Sequence, residues 1–138
     1  SPHRFLMVMG SCLENVKLPD NIWGDKMLPQ VQILPMVDLV ITHGGNNTVI
    51  ESLYNGKPMI LCPLFYDQYD NAQRVTEKGY GYRTNPYKCE PRELLEMIES
   101  ILNDQNMNDR CRKISKRMQN IDSPMQAAKD IIDIALEK

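Results

Sequence analysis

Two short stretches carry residue types suited to binding a phosphorylated sugar. The first is His43-Gly44-Gly45-Asn46-Asn47-Thr48, followed by Glu51. A glycine pair lets a ligand approach the backbone closely. A helix opening there presents free N–H groups and the positive end of its dipole, a site suited to a diphosphate. Asn47 and Thr48 add side-chain donors, and His43 can donate to a phosphate oxygen. Glu51 lies four residues past Asn47, on the same helix face, where a carboxylate can accept both hydroxyls of a ribose. The second stretch is Pro63-Leu64-Phe65-Tyr66-Asp67-Gln68-Tyr69-Asp70-Asn71. Asp67 and Gln68 together offer the acceptors and donors that vicinal hydroxyls require. Read alone, Asp67 fits a helix cap as well as a ligand, and Asp70 and Asn71 are expected to cap the following helix. The first stretch is neither a Walker P-loop nor a GxGxxG fingerprint, so neither an NTPase nor a dehydrogenase is indicated.

Such turns need strands before them and helices behind. Val37–Thr42 is rich in β-branched residues and runs into the glycine pair, which predicts a strand. Asn46–Asn55 then turns helical, closed by Asn55-Gly56 with glycine at the left-handed position. Pro58–Cys62 predicts the next strand and Asp70–Lys78 the next helix, closed by Gly79. Tyr80–Arg83 is a weaker strand. Upstream, Arg4–Met9 predicts a short buried strand, Glu14–Lys26 is irregular, and Ile22-Trp23 begins a second strand. Val31–Met36 has room for one or two helical turns, broken by Pro35.

The remainder is helical. Glu90-Pro91 opens a helix whose stripe is Leu94, Leu95, Ile98, Ile101 and Leu102. Met107, Cys111, Ile114, Met118 and Ile121 mark a second. Ser123-Pro124-Met125-Gln126 has capping-box spacing and opens a third, with Ala127, Ala128, Ile131, Ile132 and Ala135 on its apolar face. Strands alternating with helices imply α/β architecture with a parallel sheet, whose ligands bind outside the carboxyl ends of the strands.

Bulk properties narrow the function. The 138 residues form one domain, 42% hydrophobic and 25% charged. A net charge of −2 gives no electrostatic basis for nucleic-acid or anionic-membrane binding. Arg110, Arg112, Lys113, Lys116 and Arg117 fit a solvated helix face. No apolar run approaches the roughly 18 residues of a membrane span. Cys12, Cys62, Cys89 and Cys111 are too widely spaced for a zinc ribbon or a CxxC pair and fit reduced thiols. No metal site and no Asp-x-Asp motif is present in the sequence.

The two turns in tandem, preceded by Met27-Leu28-Pro29-Gln30, resemble the donor signature of the family-one UDP-glycosyltransferases, the UDP-glucuronosyl/glucosyltransferase superfamily. That signature runs Trp-x-Pro-Gln, then His-Gly-Gly-x-Asn-Ser/Thr-x-x-Glu, then Pro-x-x-x-Asp-Gln-x-x-Asn. Gly56-Lys57-Pro58 resembles its Gly-x-Pro. Met27 stands where the family usually has a Trp stacked on uracil, and methionine stacks less well.

The resemblance implies the C-terminal, donor-binding domain of a two-domain GT-B enzyme: a Rossmann-like parallel sheet with flanking helices. It implies that Met27 and Gln30 lie near the nucleoside, and that His43, Gly44, Gly45, Asn47 and Thr48 hold the diphosphate. Glu51 would bind the ribose, and Asp67 and Gln68 the hexose. Transfer from a UDP-sugar to an acceptor hydroxyl would be inverting and metal-independent, with UDP-sugar as substrate and no further cofactor. The acceptor and the general-base His belong to an N-terminal domain in this family, and no catalytic base is identifiable among residues 1–138. The sequence is therefore expected to be a fragment, truncated at its N-terminus, that binds a donor without transferring it. The alternatives are a non-catalytic nucleotide-sugar module, a donor subunit of a two-chain transferase, and a UDP-GlcNAc 2-epimerase-type enzyme. A soluble, cytoplasmic location is expected, because no membrane segment is visible.

Overall fold

The computed structural model describes residues 1–11 and 16–136. Cys12 and the start of the expected Glu14–Lys26 stretch lie outside the described residues. The elements are β1 (Phe5–Val8), β2 (Ile22–Asp25), α1 (Gln30–Ile33), β3 (Val40–Thr42), α2 (Asn46–Tyr54), β4 (Met59–Leu61), α3 (Gln68–Glu77), β5 (Gly81–Arg83), α4 (Pro91–Asn103), α5 (Gln105–Gln119) and α6 (Ser123–Leu136). A 3-10 turn at Leu34–Met36 follows α1.

Among the described residues all strand pairing is parallel, but it falls into two sheets. One has the order β1-β2 and the other β3-β4-β5. In the larger sheet Ile41 pairs with Ile60 and Ile60 with Tyr82. β4 is its centre, and Met59, Ile60 and Leu61 are fully buried. Alternation along β4 sorts these three onto two faces. Met59 and Leu61 pack with Val49 of α2 and with Ala72 and Val75 of α3. Ile60 packs with Ile98 and Ile101 of α4 and with Met107 and Cys111 of α5. The sheet is thus covered on both sides, as an all-parallel sheet requires.

The glycines end the helices as expected. Gly56 and Gly79 follow α2 and α3 with φ of +67° and +69°. A Cβ on Gly56 would also stand 3.3 Å from Ser115 Cβ, so α5 packs directly on that turn. Ser115 Oγ and Gln119 Nε2 both donate to Tyr54 O, satisfying a carbonyl at the end of α2.

Several expectations are corrected. β3 is three residues long, because the chain leaves the 3-10 turn at Val37 and joins the sheet only at Val40. β1 is mostly exposed: Phe5 packs on the core, whereas Leu6, Met7 and Val8 do not. α3 starts at Gln68 rather than Asp70. Ile121 lies beyond α5 and is exposed. The cap of α6 is Asp122, whose Oδ1 accepts from Met125 N at 3.1 Å, so Ser123 is already helical. The apolar residues of α6, Ile131 and Ile132 among them, are exposed rather than packed.

Cys62, Cys89 and Cys111 are free thiols. Burial pushes the Cys111 thiol up to about 11, outweighing the opposing effect of the Arg110 charge. Burial, and then the neighbouring Cys89, also raises Cys62. Among the described residues no helix is long and apolar enough to cross a membrane.

Candidate functional site

β3 delivers the chain to the first turn. Gly44 adopts φ +89°, open to glycine at little cost, and its N–H donates to Thr42 Oγ1 at 3.2 Å. A Cβ there would also lie 3.2 Å from Leu61 Cδ2 and 3.3 Å from Gln68 O. Gly45 needs glycine for another reason. Its φ of −61° and ψ of 142° suit any residue, but a Cβ would sit 2.6 Å from His43 Nε2. The absent side chain is the space into which the His43 imidazole folds.

α2 opens at once, with Gly45 at its N-cap and no side chain capping it. The first intrahelical bond is Val49 N to Gly45 O at 3.1 Å. The N–H groups of Asn46, Asn47 and Thr48 therefore point out of the helix start without intrahelical partners. Together with the dipole they make a terminus suited to an anion, beside the exposed His43.

The next turn of α2 carries Glu51. Gln30, at the start of α1, donates from Nε2 to Glu51 Oε2 at 2.6 Å and to Thr48 Oγ1 at 3.3 Å. One amide thereby fixes the carboxylate and the hydroxyl, and Glu51 Oε1 keeps its acceptor capacity. These residues border an open groove of about 480 Å³ lined by Val8, Met27, Leu28, Gln30, Asn47 and Glu51, among others. Its apolar wall is Met27, Leu28 and Val8, and its polar wall is Gln30, Asn47 and Glu51. Val8 escaped the sequence-based expectations. Its place at the carboxyl end of β1 is the signal that could have found it.

The second turn follows β4. Gln68 is only 5% exposed. Its Oε1 accepts from Leu64 N at 2.9 Å and Phe65 N at 3.2 Å, so half of the amide organises its own loop. Its Nε2 has no protein partner. No fully buried side-chain polar atom among the described residues lacks a partner, so this nitrogen borders solvent. Asp67 occupies the N-cap position of α3 with helical φ/ψ but makes no capping bond, leaving an exposed carboxylate. Asp70 and Asn71 are not caps, as had been expected, because α3 begins two residues before Asp70. Asn71 instead ties the two turns together. Its Nδ2 donates to Gly44 O at 3.0 Å and to Asp67 Oδ2 at 3.2 Å.

The structure thus joins groove, helix terminus and second turn in one continuous region at the carboxyl ends of β3 and β4. Met27, Gln30, Asn47 and Glu51 share the groove, while Gly44 rests against Gln68 in the neighbouring turn. Thr48 and Gln68 are half-committed to protein partners, and Met27 lies 80% exposed. A second cavity of about 330 Å³, bordered by Asp38, Lys57, Asn108 and Arg112, lies at the opposite, amino ends of these strands. Among the described residues no cluster of three or more His, Cys, Asp or Glu side chains is placed to hold a metal.

Comparison with known proteins agrees with this geometry. The sequence profile described as "UDP-glucoronosyl and UDP-glucosyl transferase" matches residues 15–131. Human UDP-glucuronosyltransferases 1A9 and 1A1 are each 38% identical over 92 residues, 65% of this chain and 17% of theirs. The chain therefore spans a small part of the length of these relatives. A glycosyltransferase of kitacinnamycin superposes with a TM-score of 0.85 at 26% identity, covering 94% of this chain and 34% of that one. A UDP-glucose:anthocyanidin 3-O-glucosyltransferase in complex with UDP gives 0.80 at 25% identity, covering 95% and 32%. With the tandem turns folded onto a doubly covered parallel sheet, the chain belongs to the UDP-glucuronosyl and UDP-glucosyl transferase family.

Proposed function

We propose that this chain binds a UDP-sugar and is the donor half of an inverting, metal-independent glycosyltransferase that moves a hexose to an acceptor hydroxyl. The carrying observation is the Gln30–Glu51 pair beside the uncapped start of α2. It sets a carboxylate beside a helix terminus with free N–H groups, which supports reading the two as partners of a ribose and a diphosphate.

The nucleoside lies in the groove against Met27 and Gln30, and Glu51 accepts the ribose hydroxyls. The diphosphate receives the N–H groups at the start of α2, the side chains of Asn47 and Thr48, and His43, with Gly44 and Gly45 giving it access. Asp67 accepts hexose hydroxyls and Gln68 Nε2 donates to them. Negative charge growing on the departing UDP is stabilised by the α2 dipole and His43, with no further cofactor. The UDP-glucose:anthocyanidin 3-O-glucosyltransferase above, solved in complex with UDP, supports a uridine nucleotide.

The chain alone binds without transferring. It has two histidines. His43 is assigned to the diphosphate, and His3 Nε2 is 2.7 Å from Glu99 Oε1. Neither is left to take the proton of an acceptor hydroxyl, so that base comes from outside these residues. Calorimetric titration with UDP and UDP-glucose tests the assignment. Binding of both without hydrolysis or transfer is expected, and no heat with any uridine nucleotide would sink it.

A further inference from the structure

The second turn carries a backbone feature that donor binding, as assigned above, does not explain. Tyr66 has φ +51°, the only positive φ at a non-glycine residue among the described residues. A bulky side chain in the left-handed region is rare and costs free energy. The conformation is imposed by its surroundings. Gln68 Oε1 holds the N–H groups of Leu64 and Phe65, Gln68 N donates to Phe65 O, and Tyr69 N donates to Tyr66 O at 3.3 Å. A turn so fully tied leaves Tyr66 no other φ. Glycine or asparagine would fit it with less strain.

Within the fold the ring has one aromatic contact to set against that cost. Tyr66 is 85% exposed, and its hydroxyl makes no hydrogen bond within the protein. Its one ring contact is an edge-to-face meeting with Phe65, centroids 5.3 Å apart at 86°, and Phe65 is itself exposed. Strain held at an exposed residue beside a binding site points to a role in contact with a ligand. The neighbours identify its chemistry. Asp67 follows directly, and the buried Gln68 offers its unpartnered Nε2 from the same turn. Both serve hydroxyl groups. A hexopyranose also has an apolar face of C–H bonds, which a carboxylate and an amide leave uncovered and which suits the electron-rich face of an aromatic ring.

We propose that Tyr66, braced by Phe65, is a specificity-determining platform for the C–H face of the donor hexose, with Asp67 and Gln68 taking its hydroxyls. This rests on the donor site proposed above and adds the contact that separates a nucleotide sugar from a bare nucleotide.

The test compares the chain with its Tyr66→Asn and Tyr66→Phe variants. Asparagine keeps the left-handed turn and removes the ring, whereas phenylalanine keeps the ring. Each is titrated calorimetrically with UDP, UDP-glucose and UDP-glucuronate, and its melting temperature is recorded. Tyr66→Asn is expected to leave the UDP Kd unchanged, to weaken both UDP-sugars about fivefold, and not to lower Tm. Tyr66→Phe is expected to bind like the parent. Unchanged UDP-sugar affinity in Tyr66→Asn would overturn the platform and leave the ring to a protein partner. A drop in Tm would overturn it in favour of a packing role. Failure of the parent chain to bind UDP would overturn the donor site itself, and the platform with it.

Discussion

Gln30 and Glu51 are 21 positions apart in sequence, yet the Gln30 amide donates to the Glu51 carboxylate across 2.6 Å. Their helices, α1 and α2, both border the groove. A lone carboxylate on an exposed helix face samples several rotamers. The amide holds this one in place while leaving Oε1 open. Gln30→Leu is therefore expected to weaken UDP binding about tenfold, in the range for a hydrogen bond to a charged group. It should also narrow the preference for UDP over its 2′-deoxy analogue. Titrations with both nucleotides check this. A loss equal for the two would place Gln30 outside ribose recognition.

Glu51 and Asp67 are expected to divide the donor between them. Glu51 lines the groove, whereas Asp67 stands on the second turn, outside it. Glu51→Ala should weaken UDP more than Asp67→Ala does. Asp67→Ala should instead erode discrimination among UDP-sugars while sparing UDP. Parallel titrations with UDP and two UDP-sugars measure both effects, and equal losses on UDP alone would contradict the division.

The adjacent glycines should respond differently to one methyl group. At Gly44 the backbone is left-handed and the space is closed by Leu61 and Gln68, so Gly44→Ala should destabilise the fold by at least about 1–2 kcal/mol. At Gly45 the backbone tolerates alanine and only His43 is in the way. Gly45→Ala is expected to melt near the parent temperature, and both it and His43→Ala are expected to bind UDP several-fold more weakly. If the two losses are independent and add in the double variant, Gly45 does not act through His43.

Much of this arrangement was legible in the sequence, and the remainder depended on contacts between distant residues. The apolar run Met59–Leu61 announced the buried centre of the sheet, and Gly56 and Gly79 announced the ends of two helices, because local chemistry decides both. The strand-end rule pointed to the two turns that the structure brings together after β3 and β4. The start of α3 was misjudged because Gln68 reads as a polar loop residue until the loop folds back to give its Oε1 two backbone donors. The packing of β1 and α6 was overestimated for a related reason. Apolar periodicity shows which face a segment offers, not whether anything in the chain covers it. The link from Gln30 to Glu51 joins separate elements and has no local signature.

Cys111 makes stability depend on pH in the alkaline range. Burial raises its thiol from 9.0 to about 11 in the folded chain. The unfolded chain then loses this proton first as pH rises, so the stabilisation is complete below about pH 9 and is lost as pH climbs towards 11. The loss is on the order of 2 kcal/mol. Denaturant titrations from pH 7 to 11 should show this decline, and Cys111→Ala should show a shallower slope whatever its stability at pH 7. Identical slopes would remove Cys111 as the cause.

Asn71 is the residue on which cooperation between the two turns depends. Its single amide nitrogen reaches Gly44 O at 3.0 Å and Asp67 Oδ2 at 3.2 Å. It thus joins the loop assigned to the diphosphate to the carboxylate assigned to the hexose. In Asn71→Ala the carbonyl and the carboxylate each lose a donor, at about 1–3 kcal/mol if neither recruits water. Asn71→Asp goes further, because a second carboxylate against Asp67 is repulsive. Binding of UDP-glucose relative to UDP should fall in the order parent, Asn71→Ala, Asn71→Asp. Asn71→Asp binding UDP-glucose as tightly as Asn71→Ala at neutral pH would show that Asp67 is not held by this contact.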